Sequence, residues 1–528
     1  MVKIEFGTAL IKSLKSGYNL KDFKSDAISG LVVSLVSLPL AMALAIAVGL
    51  NPSYGVYTAM VAGFFAALLG GSKTQVSGPT AAFVAILAPI YTKYGIEGLI
   101  TSQFMAGIIV IFMSVFRLGK YMKYMPHSIV LGFTTGIAIV IFVISLKDFL
   151  GFNLPKFDGY LYYRLKTLLS NINTISLADM TIGLTTLLLI RFWHRIPFIV
   201  LQKLPSIVGA IFITSIISYI AIKNGYDIKT IESTFSFIEN GIKISGIPNK
   251  LPDFSGNLII TDSNMIVQLL PSAFMVALLA SLESLLSARM ADSLAGTKHD
   301  SNSELFGIGF ANFISSLFQG MPATGAIART ATNIKSGAKS PISSMICSLL
   351  VTLYVLTFAH IIDDIPMAAL SAVLINTAIN MIEIKEIKTV LKSGLKEDSI
   401  ALIVTIVLTA TTDMIIGVAS GMATILLLNL KHFKEKSYSK IEGQTLQLTG
   451  DLTFSNFDNI FTSKFTNLNQ SNITIDLSNI GYIDLSSIKQ VEYCIENNEK
   501  NINIKVKAKD KIKKLIEGLT NLSKERFI

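Results

Sequence analysis

SLESLLSARMADSLAGTKHDSNSELFGIGFANFISSLFQGMPATGAIARTATNIKSGA, residues 281–338, holds one acid, Glu283, inside a long apolar run. Further on come Pro322-Ala323-Thr324-Gly325-Ala326 and then Arg329. A carboxylate at membrane depth costs about 3 kcal/mol or more, so it marks a functional site by default. Small residues and proline in a short hydrophobic segment point to a helix that starts or breaks inside the bilayer. The rest of the chain reads as the scaffold for this pair of features.

The chain has 528 residues, of which 51% are hydrophobic and only 15% charged. Soluble proteins carry about 25% charged residues. Apolar runs recur along the whole length, so the protein is a polytopic membrane protein. The net charge of +10 fits basic cytoplasmic loops and also attraction of anions. No basic patch is interleaved with aromatics, which excludes nucleic acid as a partner. Cys347 and Cys494 are too few for a disulfide framework and lack metal-ligand company. The five histidines are scattered, and no Walker A motif is present. An enzyme is therefore not expected, nor is a cofactor.

Residues 1–26 form a lysine-bearing cytoplasmic segment. Spans are expected at Ile28–Val48, Tyr54–Leu69, Gly98–Phe116, Ser128–Leu146, Leu177–Ile190, Leu204–Ile222 and Met265–Ala291. Others follow after Ser301 and at Ser340–Ile362, Pro366–Ile382, Ser399–Thr412 and Met414–Leu430. Ser301-Asn302-Ser303-Glu304 has the form of a capping box. Two segments are too short to cross: Thr80–Ile90, after Gln75-Val76-Ser77-Gly78-Pro79, and Thr324–Gly337. The fold is thus all-α with fourteen transmembrane segments, two of them broken. Arg117, Lys120, Lys123, Arg191, Arg195, Lys203 and Lys385 all fall on the side of the N-terminus. The positive-inside rule then puts both termini in the cytoplasm.

Ser37-Leu38-Pro39 and Ser281-Leu282-Glu283 lie 244 positions apart, as do Thr80 and Thr324. The shared offset predicts a seven-plus-seven repeat, about 27–223 and 265–430 within a transmembrane domain at 27–430. An odd number of spans per repeat inverts the halves, the architecture of secondary transporters with a midplane site. Thr80, Thr324, Gly325 and Ala326 would then line one spot faced by two positive helix ends. Ala81, Phe83 and Ile327 are further candidates for its lining. Glu283 is the candidate coupling residue, either a proton carrier or, with Ser287 one turn away, a sodium ligand. Arg329 is either a fixed positive charge for an anionic substrate or a snorkelling arginine beside Lys335 and Lys339. Residues 441–528 are polar, with β-like runs at Thr445–Leu448, Ile473–Leu477 and Ile502–Lys507, and read as a small cytoplasmic α/β domain.

Gln75–Thr80 (QVSGPT), SLESLLSA around Glu283, the loop from Gly296 to Asn302 and PATGAIARTATN together resemble the sulfate permease (SulP) anion transporters, bacterial type. Ile473-Thr474-Ile475-Asp476-Leu477-Ser478 and Tyr482-Ile483-Asp484-Leu485-Ser486-Ser487 resemble that family's STAS domain. The resemblance implies core and gate domains moving in an elevator-like way, homodimers in the bacterial cytoplasmic membrane, and a cytoplasmic protein partner for the STAS-like domain. It implies that the third and tenth segments cradle a small anion and that Glu283 serves ion coupling. Sodium-coupled bicarbonate members have Asp at the acid and a hydroxyl where Ile327 stands, so protons are the implied coupling ion. Dicarboxylate, bicarbonate and sulfate are the implied substrates. A nucleobase transporter, an anion channel and a membrane-tethered regulator remain as rival readings. Ser486 and Ser487 are either phosphorylation sites or an ordinary helix cap.

Overall fold

The computed structural model describes residues 6–119, 126–154, 157, 159–195, 204–239, 242–260, 262–412, 414–433, 437–465, 472–496, 503–520, 522 and 526–527. Lys120, Lys123, Lys203 and Ile502 lie outside the described residues. The chain divides into two compact units, residues 1–122 with 137–380, and residues 123–136 with 381–528.

The first unit opens with α1 (Thr8–Lys15), whose Gly7 amide donates to the Leu69 carbonyl at 2.7 Å. α2 (Leu20–Val48) starts on a capping box between Asn19 and Asp22 and stops at Gly49, which adopts φ 97°. The first apolar helix therefore takes in the last seven residues of the segment assigned to the N-terminal region. α3 (Pro52–Leu69) has proline at its first position, where no N–H is needed. After the two-residue strand β1 (Ser77–Gly78), α4 (Ala81–Val115) joins the short third segment to the fourth through a kink at Gly95, φ 67°. α5 (His127–Phe149) comes next, then α6 (Leu161–Ser170) within the polar connection. α7 (Leu177–Phe192) and α8 (Ser206–Lys223) pack together, with Thr186 Oγ1 donating to Thr214 Oγ1 at 3.2 Å. The long loop after α8 carries a hairpin, β2 (Ser236–Glu239) with β3 (Ile242–Ser245).

The second repeat begins with α9 (Ser263–Ala295) and α10 (Ser301–Leu317). Asp300 caps α10, accepting from Asn302 N at 3.0 Å and Ser303 N at 2.8 Å. The expected capping box is thus absent, because the Glu304 carboxylate is drawn away to residues 71–75. β4 (Thr324–Gly325) leads into α11 (Ile327–Lys335), followed by α12 (Ile342–Asp363) and α13 (Met367–Met381). α4 lies against both α9 and α10. A Cβ on Gly107 of α4 would fall 2.5 Å from the Phe313 amide nitrogen, so the backbones meet where only glycine fits. All fourteen expected segments form helix. Among the described residues, eight helices are long and apolar enough to cross a membrane.

The second unit holds the start of α5, then α14 (Ile384–Lys392), α15 (Lys396–Thr411) and α16 (Met414–Leu428). Gly132 and Gly136 of α5 and Gly417 and Gly421 of α16 each admit Thr405 or Thr409 of α15. A four-stranded sheet follows, ordered β5 (Tyr438–Glu442), β6 (Thr445–Leu452), β7 (Asn472–Ile483), β8 (Asn503–Lys507). The β5–β6 pair is an antiparallel hairpin, and β7 pairs parallel with both β6 and β8. α17 (Leu485–Glu496) makes the crossover and α18 (Asp510–Leu519) closes the unit. The sheet starts three residues before the expected boundary at 441, because β5 is too polar to announce itself by hydropathy. Asp484, not Ser486 or Ser487, caps α17, with its Oδ1 accepting from Ser487 N at 2.7 Å. Ser486 and Ser487 are both buried, and Ser486 Oγ accepts from His127 N at 2.8 Å.

Candidate functional site

Two glycine- and proline-bearing turns meet backbone to backbone. Ser77 pairs with Gly325 and Gly78 with Thr324, antiparallel, and the Ala326 amide donates to the Val76 carbonyl at 2.8 Å. Each strand then turns at once into a helix, α4 at Thr80 and α11 at Ala326. Neither start has a side-chain cap. The first-turn N–H groups therefore have no side-chain acceptor, at the positive end of each helix dipole. The helix starts lie 246 positions apart rather than 244. Thr80 thus corresponds to Ala326, and Thr324 sits two residues earlier, in the strand.

Glycine lets the Gln75 and Arg329 side chains lie against the backbone at this crossing. A Cβ on Gly325 would lie 2.2 Å from Gln75 Nε2, and one on Gly78 would lie 2.7 Å from an Arg329 guanidinium nitrogen. Thr324 is fully buried and spends its hydroxyl on the Ala280 carbonyl at 2.9 Å. Ala81 and Ala326 are buried but close to the surface of the core, and Phe83 is fully buried. Ile327 stands 51% exposed.

Glu283 lies on α9, half-buried, and its Oε2 accepts from Thr80 Oγ1 at 3.0 Å. The acid of one repeat therefore reaches the helix start of the other. Ser287 does not join it. Its hydroxyl lies 3.3 Å from Thr330 Oγ1, which in turn accepts from Val76 N at 3.0 Å. Arg329 is only 1% exposed, which excludes the snorkelling alternative. Its Nη2 donates to the Pro79 carbonyl, while its Nε has no acceptor. Among the described residues no carboxylate pairs with it. A buried cation without an anionic partner is costly.

Behind the crossing lies a second carboxylate that the sequence pattern disguised as a cap. Glu304 Oε2 accepts from Gly71 N at 2.9 Å and Ser72 N at 3.0 Å. Its Oε1 accepts from Gln75 Nε2 at 2.7 Å and Ser284 Oγ at 3.1 Å. Gln75 Nε2 also donates to Ser284 Oγ at 2.8 Å. The network ties the turn before α4 to α9 and α10 and so fixes where Thr80 meets Glu283. Both Gln75 and Glu304 stand in polar stretches of the sequence, so no local pattern signals the network. Asn312 holds the other turn, donating to the Ala323 carbonyl and accepting from the Ala323 amide, both at 2.8 Å.

Residues 23–405 match the model of the sulfate permease family. "Putative sulfate transporter YvdB" of Bacillus subtilis is 37% identical over 489 residues, covering 89% of this chain and 88% of the relative. Bicarbonate transporter BicA of Picosynechococcus is 27% identical, covering 80% of this chain and 73% of the relative. Among solved structures, the transmembrane domain of a cyanobacterium bicarbonate transporter BicA aligns with TM-score 0.66 at 27% identity. That alignment covers 76% of this chain and 98% of the other. The murine Solute Carrier 26 family member A9 anion transporter shares the fold, with TM-score 0.70 at 17% identity over 95% of this chain and 88% of its own.

Proposed function

The chain belongs to the sulfate permease family, and from that premise we propose that it is a secondary transporter that carries a small anion together with protons. Sulfate, bicarbonate and C4-dicarboxylates are the substrates the reading covers. The observation that carries it is Arg329, buried at the crossing of two uncapped helix starts with no carboxylate partner among the described residues. An anion there gains the backbone N–H groups of both starts and the field of the guanidinium.

Glu283 supplies the coupling. Its bond to Thr80 joins the acid to the helix start that would hold the anion. A protonated Glu283 removes the negative charge beside the incoming anion, so proton and anion favour each other's binding. Sodium is the weaker alternative, since the Ser287 hydroxyl is shared with Thr330 and Ile327 offers no oxygen. The fold then works as an elevator, with the crossing as cargo-bearing core. We further assign residues 438–528 as a STAS domain open to a cytoplasmic protein partner, both termini to the cytoplasm of a bacterium, and the active form to a homodimer.

Uptake by the reconstituted protein tests the reading. Labelled sulfate, bicarbonate, succinate and fumarate are offered to proteoliposomes under proton and sodium gradients. At least one anion is expected to accumulate when the outside is acid, and uptake indifferent to both gradients overturns the coupling. Glu283→Gln is expected to abolish pH-driven accumulation while substrate exchange persists. A variant that still concentrates substrate with pH assigns Glu283 a structural role.

A further inference from the structure

The second unit contains a cavity of about 750 Å³ whose lining includes no residue of the α4–α11 crossing. The end of α14, the start of α15, the turn after α16, the end of β7 and α18 surround it. Five lysines line it, Lys392, Lys396, Lys431, Lys511 and Lys514, against one carboxylate, Glu397. Lys431 takes that carboxylate at 3.5 Å. The other four have no ion-pair partner among the described residues and stand exposed. Tyr482 also lines the cavity, stacked on His432 with ring centroids 3.8 Å apart, and its hydroxyl is buried without a partner. The start of α15 has no side-chain cap, so its first N–H groups add to the positive field.

Four unpaired lysines converging on one concavity repel each other unless an anion sits among them. The volume suits a group larger than a single inorganic ion. Its depth is set by the chain: Lys396 opens the apolar helix α15, and Lys431 follows the apolar helix α16 by three residues. Lysines at the ends of apolar helices stand at the level of lipid headgroups. We propose that this cavity binds a phosphate-bearing ligand, held by Lys392, Lys396, Lys511 and Lys514 with the Tyr482 hydroxyl as an added donor. The phosphate comes either from an anionic phospholipid headgroup of the adjoining leaflet or from a soluble phosphorylated molecule. The site is independent of the substrate anion and of Glu283.

Thermal stabilisation of the purified full-length chain in neutral detergent tests this and separates the two sources. The probes are short-chain phosphatidylglycerol, short-chain phosphatidylcholine as the zwitterionic control, and inorganic pyrophosphate. Saturable stabilisation by phosphatidylglycerol is expected, weakening as salt rises. In the variant Lys392→Gln/Lys396→Gln/Lys511→Gln/Lys514→Gln the midpoint concentration is expected to rise by about tenfold or more. The variant Lys464→Gln/Lys505→Gln/Lys509→Gln, altered outside the cavity, is expected to keep the wild-type midpoint. Lysine-dependent stabilisation by pyrophosphate alone assigns the site to a soluble ligand. Equal effects of phosphatidylglycerol and phosphatidylcholine, an unchanged midpoint in the cavity variant, or no response to any probe overturns the proposal. All four lysines are exposed, so the variant is expected to fold, and its ligand-free melting temperature checks that directly.

Discussion

Glu304 accepts from Gly71 N, Ser72 N and Gln75 Nε2, all inside the membrane part of the chain. Glu304→Leu removes the acceptor of the Gly71 and Ser72 amides and of the Ser284 hydroxyl, while Gln75 Nε2 keeps only Ser284 Oγ. Each stranded donor costs about 1–3 kcal/mol. The variant is expected to lose several degrees of melting temperature in detergent, and to lose transport even where it still reaches the membrane. Glu304→Gln keeps one acceptor and is expected to fall between the two. An unaltered melting curve for Glu304→Leu removes the network from any role in positioning the site. The sequence displayed Glu283 openly, because an acid within an apolar run has no bland explanation. Glu304 was masked by Ser301, whose spacing mimics a helix cap. The same residue type was legible in one place and not in the other because its neighbours offered a local partner.

Helix starts decide the chemistry at the next scale. α4 and α11 lack side-chain caps, whereas α2, α9 and α10 are capped by Asn19, Asp262 and Asp300. Both starts at the crossing are among those left without a side-chain cap. α17 is the opposite case, capped by a carboxylate that is fully buried. Asp484 accepts from Phe454 N at 2.6 Å and Ser487 N at 2.7 Å. Burial, reinforced by Asp398, raises its carboxyl from the usual 3.8 to about 7. The folded state therefore holds this proton where an unfolded aspartate has released it. Its contribution to stability is full below about pH 4 and is lost as pH rises to about 7. The slope is at most about 1.4 kcal/mol per pH unit. Melting of the full chain is expected to fall across this window, and Asp484→Asn to flatten the fall. Equal slopes in both proteins detach Asp484 from the effect.

For the molecule as a whole, the C-terminal sheet is not an appendage. Leu131, Val390, Leu395 and Leu402 share one apolar core with Leu446, Leu448, Ile475, Leu485 and Ile488. The last 91 residues after Ser437 cannot be removed without uncovering the first four. A chain ending at Ser437 is expected to aggregate or to lose most of its monodisperse yield in size-exclusion profiles. A truncated chain that stays monodisperse and transports at the full rate argues that this core is dispensable. The region read from polarity as a small α/β domain does form a four-stranded sheet with helices, and its apolar core also takes in residues of α5, α14 and α15. Hydropathy marks where the chain leaves the membrane, not where its cores end.

By itself the sequence determined the class, the number of helical segments and the two broken ones. Apolar length, glycine, proline and a lone acid act locally, and each can be recognised within a dozen residues. The tertiary structure decided what meets what. Thr80 meets Glu283 across 203 positions, Arg329 lies behind Pro79 across 250, and Glu304 reaches Gln75 across 229. Such contacts depend on how helices cross, which the pattern along one segment does not encode. The two-residue slip between Thr324 and the true helix start at Ala326 has the same origin. Residue letters repeat at one offset, but backbone pairing at β1 and β4 sets the other.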